Sequence, residues 1–181
     1  MTIVDLASAE VQERAAAMLV EAFRNQSPNA WPDFPAAREE VQEALEPGRI
    51  GRVALDDEGQ TMGWIAARSE YDGHVWELHP LVVRPDRQRQ GIGTALVADL
   101  ERVARERGAT TLWLGSDDEA DMASLSGVDL YPNPLCHLQR IQDRKGNPFR
   151  FFQRCGLVLV GVIPDANGPG KPDILMAKRL V

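Results

Sequence analysis

Two ionisable residues, Glu77 and His79, stand two apart in the apolar run Trp76-Glu77-Leu78-His79-Pro80-Leu81-Val82-Val83. On an extended strand that spacing turns both side chains to one face. A carboxylate and an imidazole side by side can take a proton from a reacting group and pass it on. The chain then runs through Arg84-Pro85 to Gln88-Arg89-Gln90-Gly91-Ile92-Gly93-Thr94, a basic loop followed by the glycine-rich start of a helix. Glycines there let backbone N–H groups approach an anion at the positive end of the helix, and Thr94 adds a hydroxyl. One segment thus has the parts to hold a phosphate-bearing ligand and to set a base beside it.

Pro80 removes a ladder donor from the strand, which predicts a bulge or a gap in pairing at that point. Gaps of this kind let a ligand take over backbone partners. The loop lacks the Gly-Lys-Ser/Thr of a Walker A sequence. It also lacks the third glycine and early position of a dinucleotide fingerprint.

The elements that must carry these groups follow from periodicity. Residues 2–6 read as a strand. Ala9 to Phe23 repeats apolar residues at helical spacing behind a Ser8 cap. Asn25 to Pro35, with three prolines, reads as a loop containing Trp31, and Ala36 to Leu45 as a second helix stopped by Pro47-Gly48. Ile50 to Leu55 and Met62 to Ala67 flank a turn as a hairpin, and the key strand spans His74 to Val83. Gly91 to Arg107 is a helix with the apolar stripe Ile92, Leu96, Leu100 and Val103, stopped by Gly108. Thr110 to Gly115 is a strand. Strand, helix and strand in succession require a crossover and a parallel pair, so the class is α/β. Residues 120–147 hold only a short helix, Leu135 to Ile141. Pro148 to Cys155 reads as a helix, and Leu157 to Ile163 and Ile174 to Leu180 as the last strands.

The 181 residues suit one domain, 1–181, with a substantial core. No apolar run reaches membrane-spanning length and the N-terminus lacks a signal core, so a cytoplasmic protein without membrane partners is expected. Cys136 and Cys155 lack metal-ligand spacing, so free thiols and no metal are expected. The net charge of −7 disfavours a nucleic-acid partner. Its distribution is uneven: Arg84, Arg87 and Arg89 cluster at the glycine loop, and Asp117, Asp118, Glu119, Asp121 and Asp129 cluster later. Such spots suit an anionic ligand and a cationic one respectively, or are simply solvated.

Gln88-x-x-Gly91-x-Gly93 after Val83-Arg84-Pro85 resembles the acetyl-CoA-binding motif of the GCN5-related N-acetyltransferase superfamily. Further blocks are similar to the aminoglycoside 6′-N-acetyltransferases within it: Trp76 to Val83, Leu114 to Glu119, Ser124-Leu125, Asp129-Leu130-Tyr131, Gly161 to Gly168 and Lys171 to Lys178. Together they cover most of residues 76–178, with Trp31-Pro32 as the anchor in the first 70.

The resemblance implies a mostly antiparallel central sheet with one splayed parallel pair and helices on both faces. The backbone of Leu81, Val82 and Val83 would hold the pantetheine arm of acetyl-CoA, with an N–H near Val82 polarising the thioester carbonyl. The amides of Arg89, Gln90, Gly91, Ile92, Gly93 and Thr94 would hold the pyrophosphate.

Glu77 would be the general base that frees the 6′-amine of an aminoglycoside, with His79 sharing that role or serving structurally. Glu77, Trp31, Asp117 and Asp118 would bind the polycationic substrate, Trp31 supplying an apolar face to a sugar ring unless it only plugs the core. Asp173 is a weaker candidate. A polyamine, peptide or protein amine is the alternative substrate, and a non-catalytic CoA-binding sensor the alternative role. The apolar last strands and the resemblance imply a homodimer. One departure stands out. The family's Phe-Tyr-x-Lys-x-Gly is Phe151-Phe152-Gln153-Arg154-Cys155-Gly156 here, so Phe152 has no proton to give a departing thiolate, which at a pKa near 8.5 leaves tolerably without an acid.

Overall fold

The structure is a computed structural model that describes residues 1–24 and 30–181. The opening of the loop expected at Asn25 to Pro35, residues 25–29, lies outside the described residues. The chain forms two compact units, one of 1–112 with 180–181 and one of 113–179.

The first unit holds β1 (Thr2–Asp5), α1 (Ala9–Phe23), α2 (Phe34–Glu43), β2 (Arg49–Leu55), β3 (Thr61–Glu70), β4 (Val75–Val83) and α3 (Ile92–Glu106). Its strands lie in the order β1-β2-β3-β4, each antiparallel to the next. Ser8 caps α1 through the N–H of Val11, as expected. Asp33 caps α2, accepting from the N–H of Ala36 at 2.9 Å. The helix therefore begins two residues before the expected Ala36. Pro35 sits in its first turn, where a missing N–H costs nothing.

Leu6, Leu19, Val41, Val53, Trp64 and Val82 are among the buried residues that tie α1 and α2 to one face of this sheet. Trp64 is fully buried and donates its indole N–H to the carbonyl of Ala15. Ile65, Ala67 and Leu78, which alternation turns to the other face, are also buried. Helix α3 packs on β2, β3 and β4, and it buries Ile92, Leu96 and Leu100. Its C-terminal stop is Gly108 at φ +87°.

The second unit holds the rest of β5 (Thr111–Asp117), α4 (Pro134–Gln139), α5 (Phe149–Arg154), β6 (Val158–Ile163) and β7 (Asp173–Arg179). Its strand order is β5-β7-β6, and β6 and β7 form an antiparallel pair with a bulge between Leu159 and Gly161. The mixed α/β class with a mostly antiparallel sheet is the expected one. Neither cysteine is in a disulfide. No helix among the described residues is long and apolar enough to cross a membrane.

Candidate active site

The register of β3 and β4 sets the geometry. Arg68 pairs with Glu77 and Trp64 pairs with Val82. Residues 64 and 68 are four apart on one strand and share a face, so Glu77 and Val82 must share it too. Those two are five positions apart, and simple alternation would put them on opposite faces. An extra residue in β4 makes up the difference: Ala67 faces Leu78 and Ile65 faces Leu81, leaving His79 and Pro80 opposite Ala66 alone. This is the bulge that Pro80 predicted. It returns Val82 to the face of Glu77, and His79 on the bulge reaches Glu40 of α2.

Glu77 is mostly covered, its side chain 12% exposed, and Nε of Arg68 lies on Oε2. Arg68 also reaches Glu70, with Nε 3.6 Å from its carboxylate. Burial raises the pKa of Glu77 and the charge of Glu70 adds to this, while Arg68 and His79 pull it down, so the carboxyl rests above its ordinary range. His79 projects from the bulge with Nε2 3.8 Å from Oε2 of Glu40 on α2. Burial works against the imidazolium, but the Glu40 and Glu77 carboxylates outweigh it and raise the His79 pKa. Burial likewise opposes the charge on Glu40, and His79, Trp31 and Arg49 overcome it and lower that pKa.

Trp31 is buried among the core residues. Its indole N–H donates to Oε2 of Glu40 at 3.3 Å, and its ring meets Phe23 edge-on at 4.7 Å and His79 at 5.7 Å. Trp31 thus plugs the core and also seats the Glu40–His79 pair. Sequence reasoning missed Arg68, Glu70 and Glu40. Alternation from Glu77's partner strand would have found the first two once the hairpin register was known, whereas Glu40 comes from a separate helix.

The glycine loop is an open cradle. Gly91 ends it in the left-handed region at φ +84°, with nothing near where a Cβ would lie, and no side chain caps α3. The first amides of that helix therefore face outward without an intrahelical partner, which fits a pyrophosphate. Gln88 donates to the carbonyl of Val83 at 3.2 Å and Gln90 to that of Asp86 at 3.4 Å, bracing the loop. Arg84 is held by Asp86, whereas Arg89 pairs with no carboxylate among the described residues. The N–H of Arg84 bonds the carbonyl of Met62. Ladder alternation then directs the backbone groups of Val82 toward β3 and those of Leu81 and Val83 away from it.

In the second unit the acidic run separates into different roles. Alternation along β5 buries Leu112, Leu114 and Ser116 and continues to Asp118, which is fully buried. Its carboxylate accepts from the N–H of Met122 at 2.6 Å, the N–H of Ala123 at 2.8 Å and the hydroxyl of Ser126. Asp118 therefore organises the loop after β5 and corrects the expectation of a pocket wall. Asp117 is exposed and accepts from the Asn167 amide at 2.6 Å. Asp121 is paired with Lys171 at 2.6 Å. The Asp173 carboxylate sits where a Cβ on residue 115 would be, so Gly115 makes room for it. Phe152 is buried with its ring against Phe151 at 5.0 Å, an apolar plug without a proton.

Comparison with known proteins places the chain in a family. A sequence model of the acetyltransferase (GNAT) family matches residues 16–131. A crystal structure of an aminoglycoside 6′-N-acetyltransferase complexed with coenzyme A is 36% identical, with TM-score 0.91 over 100% of this chain and 98% of that one. The aminoglycoside 6′-N-acetyltransferase from Enterococcus faecium is 34% identical, with TM-score 0.88 over the same shares. An aminoglycoside 6′-acetyltransferase type Ii is 32% identical, with TM-score 0.76 and again the same coverage. Curated protein sequences yield no match. The chain belongs to the acetyltransferase (GNAT) family and is an acetyl-CoA-dependent N-acetyltransferase.

Proposed function

We propose that this enzyme transfers the acetyl group of acetyl-CoA to the 6′-amine of aminoglycosides. The observation that carries the reading is the full-length likeness, at 36% identity and TM-score 0.91, to an aminoglycoside 6′-N-acetyltransferase. Acetyl-CoA supplies the activated acetyl group when bound. The amides of Arg89 to Thr94 and the Arg89 side chain would hold its pyrophosphate, and the outward backbone of Leu81 and Val83 its pantetheine arm. Glu77 takes a proton from the substrate ammonium, directly or through a water. The neutral nitrogen would then attack the thioester carbonyl carbon, a C–N bond forming and the C–S bond breaking with its electron pair leaving on sulfur, while the second proton of the nitrogen passes to solvent and the thiolate takes one from solvent. The N–H of Leu81, the outward donor nearer Glu77, would donate to the carbonyl oxygen as charge develops there. Burial suits Glu77 to the role, because a base works best when its pKa moves toward working pH.

His79 with Glu40 provides a second charged pair beside the amine. Asp117 and Trp31 remain candidates for the aminoglycoside, while Asp118 is left out because its carboxylate is fully engaged. We take the chain as one catalytic domain acting in the cytoplasm as a homodimer, with light scattering at several concentrations reading the oligomeric state.

The decisive assay follows CoA release with kanamycin or tobramycin, with spermidine and a lysine peptide run alongside for kcat/KM. Turnover of a 6′-amino aminoglycoside above the other amines supports the substrate. Binding of acetyl-CoA with no turnover of any such aminoglycoside overturns it.

A further inference from the structure

We infer that Arg68 is the internal counter-ion of Glu77: it occupies the place of the substrate's ammonium in the free enzyme and moves aside to Glu70 when the amine arrives. The inference rests on Glu77 being the base of the proposed reaction.

Three features of the geometry point to it. Arg68 and Glu77 are direct cross-strand partners on one face of β3 and β4, so the guanidinium is delivered to the carboxylate by the register itself. The carboxylate is the covered partner at 12% exposure, while the Arg68 side chain is 47% exposed and has open water to move into. Glu70, two residues along the same strand, shares that face and already lies 3.6 Å from Arg68. The guanidinium therefore has two acceptors. Leaving Glu77 keeps the pair with Glu70, and the substrate's ammonium replaces the guanidinium beside Glu77. A mostly covered carboxylate with no cation beside it would have its pKa raised further by desolvation and be a working base over a narrower pH range. Arg68 prevents this before substrate binds, and the substrate's own cation takes over afterwards. The other charged groups facing Glu77 are Glu70 from β3, His79 from β4 and, behind His79, Glu40 from α2. Arg68 is the only permanent cation among these named groups.

Arg68 is thus a positioning residue, and its signature is a difference between two pH profiles. kcat/KM follows the free enzyme, where Arg68 is in place, and kcat follows the complex, where the substrate has replaced it. In Arg68→Met the acid limb of kcat/KM moves to higher pH, so the deficit against wild type grows about tenfold between pH 8 and pH 5.5, while the kcat profile keeps its shape. Arg68→Lys keeps the charge and recovers most of the activity at pH 5.5. Glu70→Gln removes the second seat and raises KM for the amine about two- to fivefold at unchanged kcat. Parallel kcat/KM profiles for wild type and Arg68→Met, or equal losses in the Met and Lys variants, overturn the inference. Glu77→Gln, measured in the same series, separates this from the reading beneath it. If that variant keeps full turnover at pH 8, Glu77 is not the base and both fall. If it is inactive while the Arg68→Met profile is unmoved, only the role of Arg68 falls.

Discussion

At the scale of single residues, Glu77 is held in a state that suits chemistry better than stability. Burial raises its pKa above the ordinary glutamate range, so folding favours its protonated form. The resulting cost is felt at pH above the folded pKa and vanishes as the group protonates. Glu77→Gln should therefore lower kcat by ~10²–10⁴-fold without lowering the melting temperature at pH 8. A residue kept only for packing would show the reverse. The Glu40–His79 pair has the opposite sign of linkage. His79 has a raised pKa in the fold, so its contribution is complete below the unfolded value of about 6.5 and fades as pH rises through the folded one. Glu40 has a lowered pKa, so its contribution is complete above about 4.3 and is lost as pH falls. The pair stabilises most between these limits. Thermal melts of Glu40→Gln, which keeps an acceptor for the Trp31 N–H, should show a larger loss at pH 5.5 than at pH 8.5. An equal loss at both would mean that charge is not what joins the two residues.

Elements decide which of these residues meet, and here the sequence was legible unevenly. The segment from Trp76 to Thr94 carries its strand, its Pro80 bulge and its glycine loop in local chemistry, and each is found where it was expected. The apolar run Met62 to Ala67 predicts that β3 ends there, before Arg68 and Glu70. They continue the strand, with their side chains on the face that holds Glu77. Helix α2 was started too late because Pro35 was read as loop rather than as a first-turn residue. Asp118 looks like its acidic neighbours in one dimension, and only its parity with Leu112, Leu114 and Ser116 marks it as inward-facing. Glu40 meets His79 through a helix packed on the sheet, which no local pattern encodes. Two glycines give the element scale its test. Gly91→Ala forces a Cβ into φ +84°, costing about 1–2 kcal/mol, and should raise the Kd for acetyl-CoA by tilting the amides of α3. Gly115→Ala has no such backbone cost but drives a methyl into the Asp173 carboxylate, so about 1–3 kcal/mol of stability should go with acetyl-CoA binding little changed. Calorimetry and denaturant melts on the two variants separate these outcomes, and similar losses of acetyl-CoA affinity in both would contradict the assignment of the cradle to the α3 N-terminus.

At the scale of the whole molecule, charge connects the fold to its proposed substrate. The chain carries 27 acidic and 20 basic side chains, and an excess of this sign attracts a polycation from a distance without saying where it binds. Local pairing narrows the choice. Asp118 is spent on its loop and Asp121 on Lys171, whereas Glu77 and Glu70 share Arg68 and Glu40 pairs with His79. On the proposed reading, the α2 and β3–β4 carboxylates around Glu77 are the ones that would attract the amine. Salt tests this, because charges farther apart than the Debye length, about 10 Å at 0.1 M and 3 Å at 1 M, stop attracting. For an aminoglycoside bearing several ammonium groups, kcat/KM should fall about tenfold as sodium chloride rises from 0.05 to 1 M. For a monoamine it should fall much less, since only the contact beside Glu77 survives at short range. Glu70→Gln should flatten the salt dependence of the aminoglycoside, and Asp121→Asn should leave it as it is. Equal slopes for the polyvalent and monovalent amines would remove the electrostatic reason for preferring an aminoglycoside over a simpler amine.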